Sequence, residues 1–169
     1  MDTLSQFEIT AEQLKADNQQ FNYQIGNDFF EALPDAEVKK GALTAVINTK
    51  KTTGRVELHL AIDGEITVQC CRCLDEMQLP VHTTDVLTIT LGTSSDDDAL
   101  CITPECPSVN IAWNVYEAIA LCIPIAPVHA EGECNAEMMA KYNEYAVDNE
   151  KKTETDPRWD ALKNMSTNN

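Results

Sequence analysis

From Val56 onward, apolar and polar residues alternate strictly. Val56, Leu58, Leu60, Ile62, Ile66, Val68 and Cys70 share one parity, while Arg55, Glu57, His59, Asp63, Glu65, Thr67 and Gln69 share the other. A period of two marks a strand with one face buried. Asp63-Gly64 resembles a hairpin turn, but a two-residue turn would set Ile62 opposite Glu65 on one face, and the parity runs straight across instead. The pattern predicts a single long strand bent at Gly64. After Val68-Gln-Cys70-Cys71-Arg72-Cys73-Leu74 the alternation resumes through Met77, Leu79 and Val81, then Leu87, Ile89 and Leu91. This predicts a second long strand pairing back on the first, with Cys70 and Cys73 at the tip of the hairpin.

The same reasoning extends to the rest of the chain. Residues 37–52 alternate through Leu43, Ala45 and Ile47, and Lys50-Lys-Thr-Thr-Gly54 follows as a turn in which Gly54 is free to take a positive φ. Upstream, Phe7 with Ile9 and Phe21 with Tyr23 and Ile25 predict two short strands. Thr10–Leu14 reads as a helical turn, and Phe29, Phe30 and Leu33 form an apolar knot before Pro34. Residues 92–98 read as an acidic surface loop, and residues 99–110 as short and irregular. Ile111, Val115, Ala118, Ile119 and Cys122 fall at helical spacing, in a helix ended by Pro124 and Pro127. Residues 135–147 suggest a second amphipathic helix. Asp156-Pro157-Arg158-Trp159 has an N-cap and a proline at the first helical position, and Trp159, Leu162 and Met165 are spaced to dock on the body. The expectation is an α+β fold: an antiparallel β-sheet with long hairpins, one packed helix and a C-terminal helix. Residues 1–147 would form one domain, and residues 148–169 a charged linker and docking helix.

Composition adds one unusual feature. The 169 residues are ordinary in hydrophobic content (43%) and charged content (24%), but the net charge is -16. Such a charge favours solubility and opposes general adhesion to nucleic acid or anionic membrane, so any RNA contact must use a local patch or a partner protein. The N-terminal residues lack the basic start and apolar run of a signal peptide, and no stretch approaches a membrane span. Seven cysteines in a chain of this size fit a reducing, cytoplasmic setting better than a disulfide framework.

In that setting Cys70-x-x-Cys73 admits three readings. Two thiolates at this spacing reach one tetrahedral metal from a tight turn, and His129-x4-Cys134 supplies a second pair; a Cys3His set suits zinc. Alternatively the cysteines are simply buried core residues. A redox pair is the third reading, although thioredoxin-type motifs open a helix, and Asp75 and Glu76 are expected to disfavour a thiolate here against the single Arg72. Catalytic constellations are otherwise missing: His59 and His82 sit at polar strand positions, and neither a glycine-rich phosphate loop nor a nucleophile elbow occurs. Non-enzymatic function is therefore expected. Lys39, Lys40, Lys50, Lys51 and Arg55 span a stretch without an acid. This locally positive hairpin is the candidate RNA- or ribosome-binding patch, against the plain alternative of an edge protected by lysines.

Three blocks together resemble the YceD family of large ribosomal RNA subunit accumulation proteins. They are Gly64-Glu-Ile-Thr-Val-Gln-Cys70-Cys-Arg-Cys73-Leu74, then Leu121-Cys-Ile-Pro124-Ile-Ala-Pro127-Val-His129 with Cys134, then Asp156-Pro-Arg-Trp-Asp-Ala-Leu162. The resemblance implies a role in accumulation or processing of 23S rRNA, with precursor RNA or ribosomal proteins as partners, and implies no enzymatic activity. Two other functions stay open: a zinc-stabilised protein-interaction module without an RNA role, and a Cys-x-x-Cys thiol oxidoreductase.

Overall fold

The computed structural model describes residues 3–16, 18–92 and 100–146. The chain divides into two compact units, Met1–Cys134 and Asn135–Asn169. In the first unit, strands β1 (Glu8–Thr10), β2 (Gln20–Ile25), β3 (Lys40–Thr52), β4 (Arg55–Gln69), β5 (Glu76–Leu91), β6 (Leu100–Ile102) and β7 (Ser108–Asn110) accompany helices α1 (Asn27–Ala32) and α2 (Ala112–Ala120). Single 3-10 turns occupy Thr3–Phe7 and Gln13–Lys15. The second unit contains helix α3 (Ala136–Tyr145), opened by Asn135, whose Oδ1 accepts from the N–H groups of Glu137 and Met138. The predicted linker and docking helix at residues 148–169 lie outside the described residues, as does most of the acidic loop.

A five-stranded sheet in the order β2-β3-β4-β5-β6 dominates, and β1 pairs with β7 in a separate antiparallel ribbon. The fold is α+β, as expected, but the larger sheet is mixed: β6 runs parallel to β5, with Ile89 beside Leu100 and Leu91 beside Ile102. Residues 99–110, expected to be irregular, thus contribute two short strands. Parity places the rest. Strand β4 is continuous from Arg55 to Gln69, pairing with β5 along its whole length and with β3 as far as Thr67. Gly64 keeps β4 continuous: a Cβ there would stand 2.3 Å from the Ala42 carbonyl oxygen and 2.6 Å from the Leu43 Cα, and its φ is 150°. No side chain fits where β3 crosses so closely.

Odd positions of β3 and even positions of β4 make the core face. Leu43, Ala45, Ile47, Val56, Leu58, Leu60, Ile62 and Ile66 are all buried. Each of these leucine, isoleucine and valine side chains contributes about 1.5–3 kcal/mol by leaving water. Phe7, Phe29, Phe30 and Tyr23 cover this face, with ring centroids of Phe7 and Phe29 4.9 Å apart. Helix α2 presents Ala112, Val115, Ala118 and Ile119 to the core and packs on β5. The Tyr116 hydroxyl accepts from the Glu37 N–H at 2.8 Å, tying α2 to the chain entering β3. The opposite face of the sheet carries Thr44, Asn48, His59, Asp63 and His82. Here the two histidines are paired rather than merely solvated: His82 Nδ1 lies 2.8 Å from Asp63 Oδ1, and His59 Nε2 3.3 Å from Glu57.

Candidate metal centre

The β4–β5 hairpin turns through Cys70–Leu74, and local hydrogen bonds explain the shape of its tip. Cys70 N–H donates to the Asp75 carbonyl and Leu74 N–H to the Cys70 carbonyl, each at 2.9 Å. Leu74 takes a φ of 66°, and its carbonyl accepts from Gln69 Nε2 at 2.8 Å. The Arg72 N–H points at Cys70 Sγ from 3.4 Å. This compact turn brings both sulfurs to one side, where Cys70 and Cys73 are buried. Cys71 faces outward, and its N–H donates to the Pro127 carbonyl at 2.8 Å. That bond fastens the loop after α2 onto the hairpin tip. The loop then turns through Gly132, at a φ of 88°, and delivers His129 and Cys134 to the same point.

The four side chains assembled there are Cys70, Cys73, His129 and Cys134, with their donor atoms all within 4.8 Å of one another. Among the described residues it is the one group of three or more histidine, cysteine or acidic side chains so arranged. Cys70 Sγ lies 3.9 Å from Cys134 Sγ, Cys73 Sγ 3.3 Å from His129 Nδ1, and Cys134 Sγ 3.9 Å from the same nitrogen. A zinc ion with sulfur at about 2.3 Å and nitrogen at about 2.0 Å makes a tetrahedron with edges of about 3.5–3.8 Å. The three separations are close to those edges, so the four side chains could hold a metal ion, with Nδ1 the histidine atom turned to the sulfurs, whereas 3.9 Å is far beyond a disulfide bond.

Electrostatics prepare some of these donors better than others. Burial pushes the Cys70 thiol up, but the N–H groups of Cys73, His129 and Arg72 hydrogen-bond its sulfur and bring it down to about 5. The donors in direct contact with the Cys70 sulfur set this direction, and neither Asp75 nor Glu76 is among its causes. Cys134 is pushed up to about 11, first by burial and then by bonding to the other two sulfurs and by their negative charge. His129 is raised, chiefly by its hydrogen bond to Cys70. These environments differ in direction: contacts at Cys70 favour the thiolate, and those at Cys134 favour the thiol. Of the remaining cysteines, Cys101 Sγ donates to the Gly92 carbonyl and Cys122 Sγ to the Ala118 carbonyl, while Cys106 is exposed.

The basic residues are not brought together. Lys40 pairs with Thr67 near the cysteine tip, while Lys50, Lys51 and Arg55 lie at the far end of the sheet. Along β3 the two groups stand about 30 Å apart. Lys40 is held by Glu76 at 2.7 Å, and Lys50 lies 4.0 Å from Glu57. Lys15, which pattern reading did not single out, joins the far group, its carbonyl accepting from Lys51 Nζ at 3.5 Å. No local sequence signal connects Lys15 with a strand so much later in the chain.

A family model described as "Large ribosomal RNA subunit accumulation protein YceD" matches residues 58–166. The chain belongs to the YceD family. The matched span holds all four cluster residues and none of Lys39, Lys40, Lys50, Lys51 and Arg55. No curated protein and no solved structure matches the chain. YceD membership connects the protein with accumulation of the large ribosomal RNA subunit.

Proposed function

We propose that this YceD protein is a non-enzymatic, cytoplasmic ribosome-biogenesis factor that supports accumulation or processing of 23S rRNA, and that its Cys3His cluster holds a structural zinc. The carrying observation is the family match, which encloses the whole cluster. Zinc bound by Cys70, Cys73, His129 and Cys134 leaves no open coordination position, which is the arrangement of a structural rather than a catalytic site. It would clip the loop after α2 to the hairpin tip and fix the surface formed by both. The burial of Cys70 and Cys73 speaks against a thiol oxidoreductase, whose attacking sulfur must be reachable.

RNA contact, in this reading, falls to the far end of the sheet, where Lys50, Lys51, Arg55 and Lys15 act as point charges on phosphate. Lys39 and Lys40 form a lesser group beside the tip. Replacing Lys50 and Lys51 with glutamate should reduce co-sedimentation with large-subunit precursors and leave folding unchanged. Deleting the gene should lower mature 23S rRNA relative to 16S rRNA. Normal 23S levels in the deletion strain would overturn the functional reading, and undiminished co-sedimentation of the double variant would overturn the patch. The net charge of -16 favours a second reading, in which a zinc-stabilised module contacts proteins of the precursor particle without touching RNA. Crosslinking that recovers ribosomal proteins but no rRNA would select it.

A further inference from the structure

Strand β5 is far longer than the partner on its outer side. Strand β4 pairs with Glu76–Thr90, whereas β6 covers only Ile89–Leu91. The direction of the uncovered groups follows from parity. Leu91 N–H donates to Gly54 on the β4 side, and the Asp75 carbonyl accepts from Cys70 on the same side. Gly92 N–H donates to Ile102 on the outer side. Odd residues of β5 thus face β4, and even residues turn their N–H and C=O groups outward. Pro80, which has no N–H to give, falls in the outward set, as strand geometry requires. Val86 N–H also falls there and is taken by its neighbour, the Asp85 carboxylate, at 2.8 Å. Among the described residues, the outward backbone groups of Gln78, His82, Thr84 and Thr88 have no partner.

Charge selects what this edge can accept. Between Arg72 and Cys134 the chain contains no lysine or arginine, while Asp75, Glu76, Asp85, Glu105 and Glu117 all lie in that stretch. On the open face, Asp63 and Glu65 of β4 flank the same strand and are exposed. A second copy would bring up an equally acidic strand without lysine or arginine, and Pro80 would break its ladder. A strand bearing lysine and arginine meets the opposite situation. Its backbone fills the free ladder positions and its cations face the acids.

We infer that the outer edge of β5, from Gln78 to Thr88, is a strand-addition site for a lysine- and arginine-rich extended segment of a partner protein. The inference goes beyond the rRNA reading and stands without it. Its readout is backbone exchange on β5, which neither zinc nor RNA measurements enter. The test uses the full chain and a short peptide alternating valine with lysine or arginine, beside a counterpart carrying glutamate at the cationic positions. The cationic peptide should slow amide exchange at His82, Thr84 and Thr88, and the glutamate peptide should not. Thr84→Pro removes an outward N–H without touching the β4 ladder and should weaken binding about tenfold, whereas Thr84→Val should leave it unchanged. Asp85→Lys provides an independent variant: it frees the outward Val86 N–H but reverses the charge, and should still weaken binding by a similar factor. No binding of the cationic peptide, equal binding of both peptides, protection confined to other elements, or affinity unmoved by both Thr84→Pro and Asp85→Lys would overturn the inference.

Discussion

The two ends of β4 are closed by different physics. At its start, Thr52 pairs with Arg55 across a two-residue turn in which Gly54 has a φ of 76°, and a Cβ added there would meet nothing within 4 Å. Backbone stereochemistry alone makes that turn. At its finish, the Cys70–Leu74 tip buries two sulfurs and takes a second chain segment onto itself through Cys71 and Pro127. Local hydrogen bonds shape that tip, and a segment from far along the sequence then brings His129 and Cys134 to its sulfurs. The family match begins at residue 58, so it takes in the chemically closed end and leaves out the glycine turn. A stereochemical turn tolerates many sequences, whereas a four-donor cluster tolerates few.

Removing a sulfur should separate the ends most sharply. Cys70→Ser should abolish the bound zinc, seen as loss of one metal per chain by elemental analysis. It should cost roughly 5 kcal/mol or more in denaturant unfolding, given that structural zinc contributes on the order of 10 kcal/mol in small domains. A cost near 1 kcal/mol in protein that never held metal would mean that the cysteines are core residues only. Next comes Gly64→Ala, in the middle of the same strand, where overlap with Ala42 and Leu43 should cost about 3 kcal/mol by the same measurement. Unchanged stability would show that β3 and β4 can move apart there.

Acidity probes the chemical end alone. Burial and the neighbouring sulfurs push Cys134 up to about 11 and favour its protonated form, so a zinc ion bound there would displace a proton. Protons therefore compete with the metal, and affinity should fall at least tenfold, or about 1.4 kcal/mol, for each pH unit lowered from 8 to 6. The Thr53-Gly54 end should show no such dependence. Competition titration with a chromogenic chelator reads this directly, and a flat profile would contradict a protonated Cys134. Smallest is Gly54→Ala, which forces a side chain into the left-handed region at about 1 kcal/mol without any effect on metal content.

Much of the sheet was legible because parity is a local property. Val56 through Val68 announce their face residue by residue, and the continuous pattern across Gly64 excluded a hairpin that Asp63-Gly64 alone would suggest. The tip position of Cys70 and Cys73 followed from the same reading. The four donors were named from residue type and spacing, but only the fold shows that they meet, since spacing within Cys70-x-x-Cys73 says nothing about where His129 stands in space. Nor was the parallel pairing of β6, because Leu100–Ile102 is too short to carry a pattern. The basic run misled in a different way. Lysines close in sequence were read as one patch, but an extended strand separates its ends, leaving Lys40 and Lys51 at opposite margins of the sheet.

The bond from Cys71 N–H to the Pro127 carbonyl needs no ion. It holds the histidine-bearing loop at the hairpin tip through the backbone alone, so a metal bound there would find part of its ordering already done.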